Sequence, residues 1–64
     1  MDITVINNKF YTNELSVNDT CFNKITNKKY IVFYIDEIYN EYEVYDVKSG
    51  RKKSFKKELL LKQL

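Results

Sequence analysis

The chain has 64 residues, of which 11 are basic and nine are acidic, and its formal net charge is +2. A chain of this length forms one domain, residues 1–64, and buries only about 60% of its unfolded surface, so its core is thin. One cysteine and no histidine exclude an intrachain disulfide, a Cys/His zinc site and a CxxC redox pair. We therefore expect no cofactor and no metal site, and a fold stabilised by apolar packing.

Composition and periodicity both favour strands over helices. The chain has no alanine or proline but has six tyrosines and four phenylalanines, which fits strands better than helices. The predicted strands are residues 3–6, 9–11, 19–24, 29–38, 42–48 and 51–55. The predicted turns are residues 7–8, 26–28, 40–41 and 49–50, which are rich in Asn, Ser and Gly. In the loop at residues 12–18, Leu15 and Val17 alternate, so both are predicted to face the core.

Alternation along the two longest predicted strands also assigns their faces. Successive side chains of a strand point to opposite sides, so a strand with one buried face alternates apolar and polar residues. The residues predicted to face the core are Tyr30, Val32, Tyr42 and Val44. The residues predicted to face outward are Glu41, Glu43 and Tyr45.

The C-terminal segment has helical rather than strand spacing. Leu60, Leu61 and Leu64 recur at three- and four-residue intervals, and Ser54 is a plausible N-cap. A short C-terminal helix of one or two turns is therefore predicted. Together, these elements predict an all-β fold with that helix, in which five or six short antiparallel strands form a small barrel.

A set of apolar and turn residues between positions 15 and 60 has a recognisable pattern. Its members are Leu15-x-Val17-Asn18-Asp19, Tyr30-x-Val32-x-x-Ile35, Tyr42-x-Val44-x-Asp46, Ser49-Gly50, Phe55 and Leu59. This pattern resembles that of small SH3-like barrel proteins, including short phage-encoded ones. Asn18 and Asn27 stand where such proteins often carry glycine. The resemblance implies an SH3-like barrel from a phage or mobile element.

Most kinds of catalytic site cannot be assembled from these residues. Without histidine, no Cys-His or Ser-His nucleophile can form, and one glycine cannot build the glycine-rich loops that hold phosphates. Cys21, next to Phe22, is predicted to be a small buried hydrophobic residue rather than a nucleophile. A pair of catalytic carboxylates would need a substrate cleft, for which so short a chain has little volume. We expect no enzyme activity and no catalytic residues.

Charge is unevenly distributed along the sequence. Residues 1–32 carry a net charge of +1, residues 33–50 carry −4 and residues 51–64 carry +5. The simplest explanation is that an acidic strand pair lies beside a basic last strand and attracts it. Individual surface ion pairs of this kind contribute only about 0–1 kcal/mol. Two functional explanations stand beside this structural one.

The favoured functional hypothesis is that the acidic, tyrosine-rich hairpin docks on a protein partner. Tyrosine is favoured at interfaces because it combines contact area with a hydrogen-bonding tip. The predicted partner-binding residues are Asp36, Glu37, Tyr39, Glu41, Glu43 and Tyr45. Carboxylates around tyrosines would suit a basic groove. The resemblance to small phage proteins implies that this groove belongs to a host or defence enzyme, which such a protein would inhibit.

The alternative hypothesis is a nucleic-acid-binding module that uses the basic C-terminal strand and helix. The residues predicted to contact phosphates are Arg51, Lys52, Lys53, Lys56 and Lys57. Exposed tyrosines such as Tyr34 or Tyr39 would stack on bases. The pI of about 8.7 falls below the value typical of nucleic-acid-binding domains.

The first residues lack the basic start of a signal peptide, and no apolar run reaches the roughly 18 residues of a membrane span. We therefore expect a cytoplasmic protein, in a bacterial or phage-infected cell, with no membrane contact. A monomer and a homodimer both remain open, because an unpaired edge strand can pair with a second copy.

Overall fold

The computed structural model describes residues 3–64, which form one open sheet of seven antiparallel strands and one turn of 3-10 helix. The strands are β1 (Ile3–Ile6), β2 (Lys9–Thr12), β3 (Thr20–Asn23), β4 (Lys29–Asp36), β5 (Glu41–Asp46), β6 (Lys52–Lys56) and β7 (Leu60–Gln63). Their order across the sheet is β1-β2-β7-β3-β4-β5-β6. The all-β prediction is confirmed, with seven strands where five or six were predicted.

The predicted C-terminal helix is wrong. The 3-10 turn covers only Lys57–Leu59, and the leucines that follow belong to β7. β7 lies in the middle of the sheet, where Leu60 is opposite Asn23 and Leu61 is opposite Phe22. Both leucines are buried, one on each face of the strand. A short apolar run is compatible with either a buried helix or a central strand. Here the run is a strand, and its pairing with β2 and β3 provides hydrogen-bond partners for its backbone.

The core is built from the inner faces of β3, β4, β5 and β7. Val32 and Val44 are opposite each other in register, and both are fully buried. The other buried members of this cluster are Leu15, Cys21, Tyr30, Tyr42 and Leu60. The four core residues predicted from alternation are therefore confirmed, as is Leu15, whereas Val17 is half-exposed and its predicted burial is wrong.

A β-bulge interrupts β4 and resets its alternation. Val32 is opposite Val44 and Tyr34 is opposite Glu43, so Phe33 is an extra residue on this strand. After the bulge, Ile35 packs against the core, although uninterrupted alternation from Val32 would turn it outward. The bulge thus lets Tyr30 and Val32 before it and Ile35 after it all face the core.

Asparagine takes the left-handed backbone conformation in most turns. Asn7, Asn8, Asn18, Asn27 and Asn40 all have positive φ angles. Asn is among the few residues with a side chain that adopts this conformation readily. The two asparagines of the β1–β2 turn therefore form a two-residue hairpin loop of the kind that two positive φ angles favour. The absence of glycine at positions 18 and 27 does not prevent these turns.

The loop between β2 and β3 is fixed to the sheet by two polar groups. The Tyr42 hydroxyl donates a hydrogen bond to the Asn13 carbonyl (2.7 Å) and accepts one from the Leu15 N–H (2.9 Å). The Asp19 carboxylate accepts hydrogen bonds from the Ser16 N–H (2.7 Å) and the Lys62 ammonium (2.9 Å). These bonds, the one from Ser16 first, lower the pKa of Asp19.

Candidate functional site

The carboxylates of the predicted protein-binding hairpin are largely used within the molecule. Asp36 Oδ1 accepts hydrogen bonds from two backbone N–H groups of the β4–β5 turn, at 3.0 and 3.1 Å. Both carboxylate oxygens of Glu37 lie 3.1 Å from Lys57 Nζ. Glu41 lies 3.4 Å from Lys56 Nζ. Acidic and basic segments therefore attract each other, as the simplest explanation of the charge pattern requires.

The remaining predicted hairpin residues lie in two separate places. Glu43 and Tyr45 are on the outer face of β5, where Glu43 is opposite Ser54 and Tyr45 is opposite Lys52. Tyr39 is in the β4–β5 turn and is 66% exposed. The six residues thus share one hairpin, but its carboxylates do not form one continuous unpaired acidic surface.

The five predicted phosphate-binding residues also divide into two groups. Lys56 and Lys57 hold Glu41 and Glu37 and are therefore partly neutralised. Among residues 3–64, Arg51, Lys52 and Lys53 have no ion pair within 4.0 Å, and all three are exposed.

The fold brings further lysines to the unpaired group. The turn after β3 lies beside the turn after β5, where the Val47 N–H donates to the Lys29 carbonyl (3.3 Å). A cleft of about 630 Å³ lies between them, lined by Thr26, Asn27, Lys28, Lys29, Asp46, Val47, Lys48 and Ser49. We call the exposed side chains of Lys28, Lys29, Lys48, Arg51 and Lys53 the basic end.

Among residues 3–64, Asp46 is the one carboxylate that lines this cleft, and it stabilises the turn after β5. Its Oδ1 accepts hydrogen bonds from the Lys48 N–H (2.7 Å) and the Ser49 N–H (3.1 Å). These bonds, the one from Ser49 foremost, lower its pKa, and the nearby charges of Lys28 and Lys53 lower it further. The cleft therefore holds three lysines, Lys28, Lys29 and Lys48, beside one carboxylate that already has two donors.

Sequence reasoning missed Lys28, Lys29 and Lys48. They lie in segments that, counted along the chain, are nearly neutral or acidic. The two turns are about 20 residues apart in sequence and become neighbours only through the pairing of β4 with β5. The available signal was the predicted hairpin itself, because antiparallel pairing places the start of one strand beside the end of the next.

An aromatic cluster lies next to the basic end on the outer face of β4, β5 and β6. The rings of Phe33 and Tyr45 stack with centroids 6.5 Å apart and an interplanar angle of 28°. Lys52 Nζ lies 5.3 Å from the centroid of the Phe33 ring, within the range of a cation–π contact. We call Phe33, Tyr34 and Tyr45 the aromatic face.

The one cysteine of this chain lies in the core. The Cys21 side chain is buried, as predicted, and its burial raises the pKa of the thiol to about 11. A thiol in that state supplies little thiolate at neutral pH. Among residues 3–64, no three His, Cys, Asp or Glu side chains are grouped so that they could hold a metal ion. In the same range, no helix has the length and apolarity needed to cross a membrane.

We found no match between this chain and any protein-family model, curated protein or solved structure. Two features define the candidate site: the basic end at the cleft, and the aromatic face on β4 and β5.

Proposed function

We propose that this protein is a non-catalytic module that binds nucleic acid through its basic end. The main support for the proposal is that the fold separates ion-paired lysines from lysines that are exposed and have no ion pair among residues 3–64. Lys56, Lys57 and Lys62 are held by carboxylates, whereas the five residues of the basic end are exposed and three of them, Lys28, Lys29 and Lys48, line a cleft. Several exposed cations at one end of a molecule can each contact a phosphate of the same nucleic acid.

A low net charge does not argue against this function once charge is localised. Lysine and arginine side chains bind phosphates and release the counterions condensed on nucleic acid, and each contact adds to the affinity. The potential that steers a ligand depends on the local charge distribution as well as on the sum. The formal charge of +2 averages a cationic end with an opposite end whose charges are internally paired.

The proposed architecture is an SH3-like barrel. Its support is the strand order β7-β3-β4-β5-β6 and the 3-10 turn that connects β6 to β7. Through this turn the last strand returns to pair with β3, and β3, β4, β5 and β7 all contribute buried residues to one core. β1 and β2 then form a hairpin added to the free edge of β7.

Fluorescence anisotropy with labelled DNA and RNA at 50 and 200 mM salt tests the proposal. For three to five phosphate contacts, Kd is expected to rise between about 20-fold and 500-fold over this change in salt. Lys53→Gln removes a cation of the basic end, so it is expected to weaken binding and to reduce the salt slope by about one contact. Lys9→Gln, in the distant β1–β2 hairpin, is the control with the same charge change. Absence of binding at 50 mM salt, or equal effects of the two variants, would contradict the proposal.

A protein partner is a second candidate function, and it rests on the tip of the β4–β5 turn. Ile38 is 90% exposed and the adjacent Tyr39 is 66% exposed. An apolar pair at a hairpin tip can fill a partner's pocket as a binding hot spot. Capture of one defined protein from the source cells, lost in Ile38→Ser and retained in Val47→Ser at the other end of the sheet, would favour this candidate.

A further inference from the structure

The β-bulge places two consecutive aromatic side chains on the same face. Phe33 contacts Tyr45 and Lys52, which lie opposite each other on the outer face of β5 and β6. Tyr34 is opposite Glu43, another outer-face residue of β5. In regular alternation one of two neighbours would point inward, so the bulge is what brings both to the surface.

The aromatic face has one member that packing does not explain. Phe33 and Tyr45 stack on each other and are half-buried, as cross-strand aromatic pairs commonly are. Tyr34 is 54% exposed and makes no ring contact with any aromatic side chain of residues 3–64. Its ring is therefore free to receive a flat ligand group beside the stacked pair.

A cation borders this face. Lys52 lies over the Phe33 ring and is the residue opposite Tyr45, so it shares the outer face with both. Lys53 is opposite the buried Val44 and therefore leaves the edge strand β6 on the other face, where it is exposed. Aromatic rings next to cations are the combination that binds single-stranded nucleic acid, because bases stack on the rings while phosphates contact the charges.

We infer that the aromatic face makes this protein select single-stranded over double-stranded nucleic acid, an inference that rests on the proposed function. In a duplex the base faces are already stacked on one another, so they are closed to Tyr34. In a single strand they are open, and every base has a face to stack. The protein is therefore expected to prefer single strands over duplexes whatever their base sequence, in DNA and RNA alike.

The test compares a labelled 12-nucleotide single strand with a hairpin duplex of equal charge, at 50 mM salt. The protein is expected to bind the single strand more tightly. Tyr34→Ala removes the open ring and is expected to weaken single-strand binding between about 5-fold and 150-fold, with little effect on the duplex. Tyr34→Phe keeps the ring and is expected to retain the affinity. Tyr39→Ala, at the exposed turn, is the matched control.

The outcomes separate this inference from the proposed function. Equal or tighter binding of the duplex, or an unchanged single-strand affinity in Tyr34→Ala, overturns the inference, while the effect of Lys53→Gln continues to support the basic end. Binding of neither nucleic acid overturns the proposed function and the inference with it. Urea unfolding of each variant establishes that a lost affinity is not a lost fold.

Discussion

Tyr42 shows how one side chain joins two parts of this small molecule. Its ring belongs to the core cluster, and its hydroxyl bonds both to the Asn13 carbonyl and to the Leu15 N–H. Lys57 Nζ lies 5.5 Å from the centroid of the same ring. Buried backbone groups that lose a partner cost free energy. The hydroxyl therefore fixes the loop whose Leu15 closes one side of the core.

We expect Tyr42→Phe to lower the free energy of unfolding by about 1–3 kcal/mol, because the Asn13 carbonyl and the Leu15 N–H lose their partner while the ring remains. Urea denaturation measures the change. Tyr39→Phe removes a hydroxyl from an exposed side chain and is expected to leave stability within about 0.5 kcal/mol. Equal changes in the two variants would show that the hydroxyl of Tyr42 has no structural role.

At the scale of the strands, alternation predicted the inner face of β4 and β5 correctly and failed at β7, which is buried on both faces. Tyr30, Val32, Tyr42 and Val44 were predicted because each is separated from its neighbour in the same strand by one outward residue. Leu60, in contrast, lies in an apolar run that has no alternation, since β7 is covered on both faces. No local pattern separates such a strand from a short helix.

Only the part of the candidate site that is contiguous in sequence could be predicted. Lys52 and Lys53 lie in the basic segment that charge counting identified, and both remain free of ion pairs within residues 3–64. Lys28 and Lys48 join them only through strand pairing. The bulge at Phe33 was not predicted. Val32, Phe33 and Tyr34 are all apolar or aromatic, so their sequence does not show which of them face the core.

Because of the bulge, deleting one residue of β4 is expected to be tolerated at Phe33 but not at Ile31. Removing Phe33 joins Val32 to Tyr34, so the pairs with Val44 and Glu43 are kept and the strand becomes regular. This variant is expected to fold, with a Tm lowered by about 4–8 °C for each kcal/mol lost. Removing Ile31 instead inverts one part of β4 relative to the other and exposes core residues. It is expected not to fold.

Circular dichroism and thermal unfolding compare the two deletions, which remove one residue each from the same strand. If both variants unfold, or if the deletion of Ile31 is better tolerated than that of Phe33, the bulge does not determine which residues of β4 face the core. The folded variant without Phe33 also keeps Tyr34 on the outer face, so its binding properties can be examined in the same preparation.

Across the whole molecule, stability is expected to be highest around β3, β4 and β5 and lowest at β1. Every residue of β1 is exposed, and β2 is the one strand that it pairs with. Val32 and Val44 are fully buried and lie in strands that are paired on both sides. A small domain has one thin core, so elements outside it open locally at a lower free energy than the rest.

We expect a variant that lacks residues 1–8 to keep its fold and to lose less than about 2 kcal/mol of stability. The β1 side chains are half-exposed, so the free energy gained by burying them is only slightly larger than the conformational entropy lost when β1 becomes ordered. A variant that lacks residues 61–64 removes the buried Leu61 and most of the strand between β2 and β3. It is expected to unfold. Urea denaturation measures both truncations, and hydrogen exchange on the intact chain should show β1 amides exchanging before those of Val32 and Val44. Equal protection of these amides, or unfolding of the variant without residues 1–8, would show instead that β1 is part of the cooperative core.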